Sequence, residues 1–499
     1  MKLSKSLERV LSRRGLTVED LKPLEEYPEY SLINLKDGTK QFMRNIMNNK
    51  LIGILYDVDT DGLSAGKIMS DYLKALGVNY KYTMNSNKHH GMNEEVMQWV
   101  EKEGIDYLII VDAGVNDIDY YNRLNEQNVE VLVLDHHKVS SVDILVSNGK
   151  TVIINNNYEG SPNKDLSGAG VTYRFIHEMN KDFGIKGIEK YQSWVGLSVH
   201  SDRCNILNKE NRYYVKYLYD NYKNEELFRQ FTNYGSLENM FNFTVIPLLN
   251  SCIRMERQDI AMELVNNRHP KAMKKLIEDA WEVYNLQKEL VEEALKTLKY
   301  ANGKNFIVCR LDDDKYKGIV GLVAAKVKSK TNKATIVLLK TEEGYKGSFR
   351  GNEFITSAQL DEIGIATAGH DKACGVFISP DNFKEQVKAL MELEIDKSNY
   401  VEYEYLVNDV EFYKYTKDLW NIAILNEFSG NGFEKIKVKI SSIGRSPSVR
   451  VFEKMVRYNY VQFEVVDFDM SCDPEVERYK NEIFVTPVLN GKNYTLVKI

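Results

Sequence analysis

Several features that mark common protein classes are missing from this sequence. Its five cysteines among 499 residues are odd in number and scattered, and no CxxC pair occurs, which disfavours a disulfide framework and a zinc ribbon. No apolar run approaches the roughly 20 residues of a membrane span. The start MKLSKSLERVLSRRG lacks the apolar core of a signal peptide. We therefore expect a protein of the reducing cytoplasm, without a membrane partner.

Charge and the lack of a nucleotide-binding loop narrow the function further. A net charge of −6 disfavours a protein coated with nucleic acid, although a local basic groove is compatible with it. No GxxxxGK(S/T) loop occurs, so nucleotide-powered chemistry has no support. The remaining composition, with 28% charged and 43% hydrophobic residues, is that of a globular protein of roughly two to four domains.

Four apolar runs between residues 51 and 155 read as strands that alternate with helices: LIGILYD, YLIIVDAG, VEVLVLDHH and TVIINNN. That alternation predicts an α/β fold with a parallel sheet. Functional groups in such sheets gather at the carboxyl ends of the strands. Each run ends in a polar cluster, formed in turn by Asp57, Asp59 and Asp61; by Asp112; by Asp135, His136 and His137; and by Asn155, Asn156 and Asn157. The sequence predicts that these four strand ends converge on one crevice.

The carboxylates at these strand ends indicate a metal site. Asp57, Asp59 and Asp61 occupy alternate positions, and carboxylates on one side of a strand repel one another unless a cation lies between them. The chain has only eight histidines, and any one of them is more often structural than a ligand; here the joint pattern of Asp and His counts. Carboxylates with imidazole suit Mn²⁺ or Mg²⁺ better than a thiolate zinc site. Paired metals of this kind serve phosphate-ester hydrolysis.

The rest of the chain predicts further domains. We expect an N-terminal helical segment over 1–50, the sheet-containing domain over 51–268, and a long helix over 269–303. That helix either bridges two domains or lies in the core of one. A second, smaller α/β domain follows over 304–398, and short alternating runs predict a β-domain over 399–499.

The motifs DVDTDG, VDAG and LDHHKV resemble the DHH phosphoesterase superfamily. LSGAGVTYRF resembles its glycine-rich helix start, and NKENRYYVKY and IPLLNSCIRM resemble segments of the RecJ family of single-strand exonucleases. KGIVGLVAAKV, GSFRG and AGHDKACG resemble the DHH-associated domain, and LNEFSGNGF resembles the start of an OB-like barrel. The resemblance covers most of the chain in the family's order. It implies a DHH catalytic domain, a long helix, a smaller DHH-associated domain and an OB-like C-terminal domain, in a phage-borne relative.

The resemblance also implies ligands for two divalent ions, with Mn²⁺ preferred and Mg²⁺ possible. One ion would be held by Asp57, Asp59 and Asp112, and the other by Asp61, Asp112, His136 and an aspartate of the fourth motif. His137 would touch the scissile phosphate, and Asp135 would orient a neighbour. The fourth motif departs from the family's pattern, because GLSVHSD offers Asp202 with His200 as a competitor.

The resemblance also implies side chains that contact the substrate. The candidates are Ser348, Arg350, His370, Lys88, His90, Arg254 and Arg203. Arginine suits this role because it binds phosphate in a bidentate manner, although Arg350 could also be a solvated surface charge. The lysines of EKIKVKI lie on one face of a predicted strand, where they could follow a phosphate backbone or simply face solvent.

The leading hypothesis is a RecJ-like 5′-to-3′ exonuclease on single-stranded DNA, its polarity implied by the resemblance alone. We expect single-stranded nucleic acid as its partner, DNA rather than RNA, with a single-strand-binding protein or a helicase as candidate protein partners and a monomer as the oligomeric state. The alternatives are an oligoribonuclease or cyclic-dinucleotide phosphodiesterase of the same superfamily, and a metal-free DHH scaffold in a replication complex. The scaffold would not need so many carboxylates.

Overall fold

The computed structural model describes residues 3–499 except 87–88, 146, 232–235, 353, 396–402, 427–428, 430–432, 442, 445, 453–454, 469–479 and 491–492. The chain forms two compact units. The first comprises Met1–Trp281, Lys414–Ile436 and Pro487–Thr495, and the second comprises Glu282–Tyr413, Lys437–Thr486 and Leu496–Ile499. In the described ranges, no helix is both long and apolar enough to cross a membrane. The finer five-part division stays a prediction.

A five-stranded parallel sheet lies at the centre of the first unit. Its strands are β1 (Ile52–Tyr56), β2 (Tyr80–Met84), β3 (Tyr107–Val111), β4 (Glu130–Asp135) and β5 (Thr151–Asn155), in the order β2-β1-β3-β4-β5. All residues of β1, β3 and β5 are buried, because both faces of the sheet are covered. The predicted parallel sheet is confirmed. Since the chain passes from β1 to one neighbour and then to the other, a crevice forms at the carboxyl ends of β1 and β3.

Helices cover this sheet and continue beyond it. They are α1 (Lys5–Arg13), α2 (Leu35–Met47), α3 (Thr60–Ala75), α4 (Glu94–Glu103), α5 (Ile118–Glu126), α6 (Gly168–Phe183), α7 (Gln192–Ser201), α8 (Lys209–Asn221), α9 (Glu226–Arg229), α10 (Leu237–Met240), α11 (Ile246–Arg254) and α12 (Gln258–Asn266). A π-helical turn, Phe241–Val245, joins α10 to α11. Side chains cap two helices at the sheet: Asp59 accepts from the Gly62 N–H of α3, and Ser167 accepts from the Gly170 N–H of α6.

The long helix is present as α13 (Pro270–Thr297), 28 residues in length. Its apolar positions Met273, Ala280 and Ala294 are fully buried, as their spacing predicts. The expected end at 303 is wrong, because Lys299–Asn302 pairs as a strand with the segment that follows. The division between the two compact units falls within α13, after Trp281.

The second unit contains a mixed six-stranded sheet, as expected for the smaller α/β domain. Its strands are β6 (Lys299–Asn302), β7 (Phe306–Leu311), β8 (Ala334–Lys340), β9 (Tyr345–Arg350), β10 (Ala366–His370) and β11 (Ala373–Ile378), in the order β10-β11-β9-β8-β7-β6. Only β7 and β8 run parallel. The helices of this region are α14 (Val320–Thr331), α15 (Ser357–Glu362) and α16 (Phe383–Glu392).

The C-terminal region is mainly β-structure, as predicted. Its strands are β12 (Tyr405–Asn408), β13 (Val438–Ser441), β14 (Ser448–Phe452), β15 (Met455–Asn459), β16 (Glu464–Asp467), β17 (Glu482–Asn490) and β18 (Asn493–Lys498), with helix α17 (Thr416–Asn426) between β12 and β13. They form one seven-stranded sheet; its closure into an OB-like barrel stays a prediction. Helix α17 belongs to the first unit, where the Ser4 hydroxyl donates a 2.7 Å hydrogen bond to Asp418.

Candidate metal centre

The three carboxylates of DVDTDG meet at the start of α3. Asp57 directly follows β1, Asp59 caps the helix, and Asp61 lies in its first turn. The helix can begin this close to the strand because position 62 is glycine. A Cβ on Gly62 would lie 2.5 Å from the Asp57 carbonyl oxygen, which is too close for any larger residue. The sharp strand-to-helix turn therefore holds the three side chains together.

Asp112 approaches from the neighbouring strand. It follows β3 in a left-handed conformation, with φ of 64°, which aspartate tolerates better than most residues. Its N–H donates a 2.8 Å hydrogen bond to the Leu134 carbonyl. A Cβ on Gly168, the first residue of α6, would lie 2.1 Å from Asp112 Oδ1. The glycine of LSGAG thus leaves the space that the Asp112 carboxylate occupies.

The possible metal ligands form three overlapping groups, and Asp112 belongs to two of them. Within each group the ligand atoms lie within 4.8 Å of one another. His136 Nε2 lies 3.2 Å from an oxygen of Asp112 and 3.2 Å from an oxygen of Asp202. The groups are Asp57, Asp59 and Asp112; Asp61, His136 and Asp202; and Asp112, His136 and His137. The structure therefore brings together every ligand that the sequence predicted.

Two buried oxygens of this cluster indicate that a cation fits it. Asp57 Oδ1 and Asp112 Oδ1 are buried and accept no hydrogen bond from a described residue, although His136 Nε2 lies 3.2 Å from Asp112 Oδ1. Such oxygens are costly to bury without a partner. A divalent cation would satisfy both, and the combination of carboxylate oxygen with imidazole nitrogen suits Mn²⁺ or Mg²⁺. The residues present thus fit a divalent metal.

The electrostatics of the cluster lead to the same conclusion. Burial, together with repulsion from neighbouring carboxylates, raises the pKa of Asp112 and of Asp202 far above the ordinary aspartate value. Burial and the charge of Asp59 raise the pKa of Asp61 to about 7. Positive charge among these groups would offset the repulsion.

Asp61 is held by donors that the sequence analysis did not identify. Its carboxylate accepts hydrogen bonds from the backbone N–H groups of Gly168 and Ala169, both at 2.8 Å, and from the Ser198 hydroxyl at 2.6 Å. The two N–H groups belong to the first turn of α6, where they have no acceptor within the helix. Ser198 lies in α7 and Asp202 is the residue that caps its C-terminus, four positions later, a spacing that places both on one face. That spacing is the signal that could have identified Ser198.

Asp135 fixes the two histidines that follow it. One of its oxygens accepts from the His136 N–H at 2.7 Å, from the His137 N–H at 3.1 Å and from His137 Nδ1 at 2.8 Å. Burial would raise the pKa of Asp135, but His137 and His136 outweigh it and lower that pKa. Lost hydration opposes charge on His137, yet Asp135 and Asp57 raise its pKa to about 10. These hydrogen bonds are compatible with the predicted orienting role of Asp135, which stays a prediction.

The fourth motif contributes Asp202 rather than His200 to this cluster. Asp202 follows the last residue of α7 and belongs to one of the three ligand groups. His200 instead shares a 2.9 Å hydrogen bond with the Tyr219 hydroxyl and stacks on the Tyr219 and Phe241 rings. Burial lowers the pKa of His200 to about 4. Among the described residues, His200 belongs to no ligand group.

The motifs described above lie in a segment that matches a known protein family. The model of the DHH family N-terminal domain matches residues 51–195, the range that carries the strand-end clusters. Residues 51–195 thus match the DHH family, and the chain as a whole is similar to RecJ proteins. It is 23% identical over 436 residues to a Bacillus subtilis (strain 168) protein provisionally named as an SPbeta prophage-derived single-strand DNA-specific exonuclease, YorK, with 77% of this chain and 74% of that protein covered.

Two RecJ proteins extend the comparison. The single-stranded-DNA-specific exonuclease RecJ of Bacillus subtilis (strain 168) is 22% identical over 407 residues, which cover 74% of this chain and 49% of that protein. The crystal structure of RecJ from Thermus thermophilus in complex with Mn²⁺ matches with a TM-score of 0.80 at 18% identity, over 100% of this chain and 76% of that chain. The DHH domain described above therefore lies within a RecJ-like fold.

The predicted substrate contacts of the first unit lie in different settings. His90 is 58% exposed, and its Nδ1 lies 2.7 Å from an oxygen of Asp57; the charge of Asp57 raises the pKa of His90. Arg203 is exposed and has a left-handed backbone with φ of 51°. Arg254 is half-buried in the last turn of α11. Lys88 lies outside the described residues. These roles stay predictions.

Two of the three predicted contacts of the second unit, Ser348 and Arg350, lie at the start of α14. Arg350 Nη1 donates a 2.7 Å hydrogen bond to the Ser348 hydroxyl. A Cβ on Gly321, in the first turn of α14, would lie 2.7 Å from Arg350 Nη2 and 3.3 Å from Ser348 Oγ, so both side chains pack closely against this turn. His370 ends β10; its side chain lies outside the described part. Both side-chain donors thus lie beside the first turn of α14, where the Arg350 guanidinium could bind an anion.

The lysines of EKIKVKI do not form one face of a strand, because β13 begins only at Val438. Lys439 is 18% exposed and forms a 2.6 Å ion pair with Glu482. Lys435 lies 3.5 Å from an oxygen of Glu238. Lys435 and Lys439 thus pair with carboxylates of the fold, an arrangement that neither expectation, a phosphate contact or a solvent-facing strand, described.

Proposed function

We propose that this chain is a metal-dependent phosphodiester hydrolase that degrades single-stranded DNA as a 5′-to-3′ exonuclease. One observation carries the hydrolase assignment: Asp112 belongs to two of the three ligand groups. A carboxylate shared in this way suits a pair of divalent ions. A metal-free scaffold would keep these buried, mutually repelling carboxylates without any compensating cation.

Two ions would be held, one by Asp57, Asp59 and Asp112, and the other by Asp61, Asp112, His136 and Asp202. Mn²⁺ is the ion that we expect to work best, because imidazole participates. When bound, the ions supply an activated water and neutralise charge on the phosphate.

The chain's own residues would position the substrate. His137 is held by Asp135 through its Nδ1, which leaves the other ring nitrogen for a hydrogen bond to a phosphate oxygen. In the second unit, Arg350 and Ser348 lie beside the start of α14 and would bind a further phosphate of the strand. Neither contact reads a base, so the enzyme would act on any sequence.

The substrate and the polarity depend on the resemblance to RecJ. The relatives are named as exonucleases specific for single-stranded DNA, and the match of folds extends over the whole chain. A monomeric state and a single-strand-binding protein or helicase as partner stay predictions.

The test is a digest of end-labelled oligonucleotides with Mn²⁺, resolved by product length. We expect mononucleotides from linear single-stranded DNA, little product from RNA or duplex, and protection by a block at the 5′ end. Asp112→Asn provides the inactive control. Efficient cutting of circular single-stranded DNA, or products unaffected by a 5′ block, would contradict the exonuclease assignment.

A further inference from the structure

Thr60 lies between two predicted metal ligands and is held from another part of the fold. It is the first residue of α3, fully buried, with Asp59 before it and Asp61 after it. Its N–H is one of the donors that a helix leaves without an intrahelical acceptor. The side chain of Asn250 supplies that acceptor. Asn250 Oδ1 lies 3.2 Å from the Thr60 nitrogen and 3.0 Å from the Thr60 hydroxyl.

The helical segment that precedes Asn250 has an irregular backbone. Asn250 lies on α11, directly after the π-helical turn Phe241–Val245, and Pro247 occupies the first turn of α11. Proline has no N–H for the preceding turn, and π turns of this kind are frequent at functional sites. Each residue that a π turn adds rotates the side chains that follow it. The turn thus helps to set the direction in which Asn250 faces α3.

The orientation of the Asn250 amide follows from its partners. The Thr60 N–H can only donate, and it donates to the Asn250 side-chain oxygen. The Thr60 hydroxyl donates to the same oxygen. The amide therefore presents its oxygen to Thr60. The Asn250 amide thus connects Thr60, the residue between Asp59 and Asp61, to α11.

We propose that Asn250 is a positioning residue for the metal centre: its amide oxygen fixes the first turn of α3 so that Asp59 and Asp61 face their separate ligand groups. This inference rests on the proposed metal centre. The Asn250 oxygen contacts Thr60, so Asn250 acts on the ligands through that residue. Loss of the acceptor should leave the buried Thr60 N–H unsatisfied and allow the turn to shift, which would weaken metal binding.

The test measures Mn²⁺ binding to the full chain without nucleic acid, by titration calorimetry and by the electron paramagnetic resonance spectrum of the loaded protein. Asn250→Leu keeps the shape of the side chain and removes the acceptor; we expect about 5- to 10-fold weaker binding and an altered spectrum. Asn250→Asp keeps the acceptor and should restore binding to within about threefold. Asn266→Leu is the matched control, because the Asn266 amide bonds the Met262 carbonyl within α12; its binding should be unchanged.

The outcomes separate the role of Asn250 from the metal centre itself. Unchanged Mn²⁺ affinity and spectrum in Asn250→Leu, with a lower melting temperature alone, would make the contact merely structural and overturn the proposal. Equal weakening in Asn250→Leu and Asn250→Asp would overturn it too. If the unaltered chain bound no Mn²⁺, the proposed metal centre would fall, and this inference with it.

Discussion

Asp112→Asn should show separately what the buried carboxylate contributes to metal binding and what it costs the stability of the metal-free fold. Asparagine has nearly the same shape and also tolerates the left-handed backbone found at this position, so the fold should survive. Asp112→Ala would add a strain of about 1 kcal/mol at the same position and is the less clean variant. The substitution removes a charge that belongs to two ligand groups. Both groups should therefore lose metal affinity together.

We expect the substitution to lower the rate of hydrolysis and to raise the stability of the metal-free protein. Hydrolysis should fall by about 10³-fold or more, because metal stabilisation of the transition state contributes several kcal/mol. The metal-free protein should become more stable, since a buried carboxylate oxygen that lacks a described donor is neutralised. We expect a gain of about 1–2 kcal/mol, which raises the melting temperature by about 1–3 °C for a unit of roughly 300 residues.

Calorimetry with and without Mn²⁺, combined with metal analysis of the dialysed protein, checks both effects. The unaltered chain should gain about 2.7 kcal/mol at a Mn²⁺ concentration one hundred times the dissociation constant, and the variant should gain little. A variant that kept near-normal hydrolysis and an unchanged metal content would refute the shared role of Asp112. A metal-free variant that melted well below the unaltered chain would show that the carboxylate serves the fold.

The other predictions concern metal, ligand choice and substrate. Exhaustive dialysis against EDTA should abolish hydrolysis, with Mn²⁺ restoring it better than Mg²⁺; activity that survived dialysis would contradict the metal requirement. Asp202→Asn should lower Mn²⁺ affinity at least tenfold while His200→Gln leaves it within about twofold, measured by titration calorimetry, and the reverse order would show that His200 is the ligand. Arg350→Ala should weaken binding of 5′-phosphorylated strands about tenfold in fluorescence anisotropy, whereas Lys346→Ala, which removes an exposed ion pair on the same strand, should not; equal losses would make Arg350 an ordinary surface charge.

The parts of the site that depend on local sequence could be predicted. Asp57, Asp112 and Asp135 each come at the end of an apolar run, and parallel strands bring their carboxyl ends to one edge. Strand periodicity and this topological rule suffice to gather those residues. The same holds for the buried face of α13, whose apolar spacing is plain in the sequence.

The contacts that join distant segments could not be predicted in this way. The Ser198 hydroxyl reaches Asp61 from 137 residues away, and Asn250 reaches Thr60 from 190 residues away. Serine and asparagine are common in helices and loops for many local reasons. Their presence in the sequence therefore does not indicate which distant residue they contact. The end of α13 was misplaced because the chain pairs as β6 before the expected glycine, and such pairing depends on a strand that comes later.

The first unit is built from three separate segments of the chain, and this has a consequence for how the protein folds during synthesis. The unit that holds the ligand groups also includes α17 and residues 487–495, and Leu419 and Ile422 of α17 are fully buried. A nascent chain whose first 281 residues have left the ribosome still lacks this apolar surface. Domains usually fold in order from the N-terminus during translation, but this unit must wait for residues 487–495 before it is complete. Fragments that end near residue 281 should therefore expose apolar surface and aggregate, however intact their DHH motifs are.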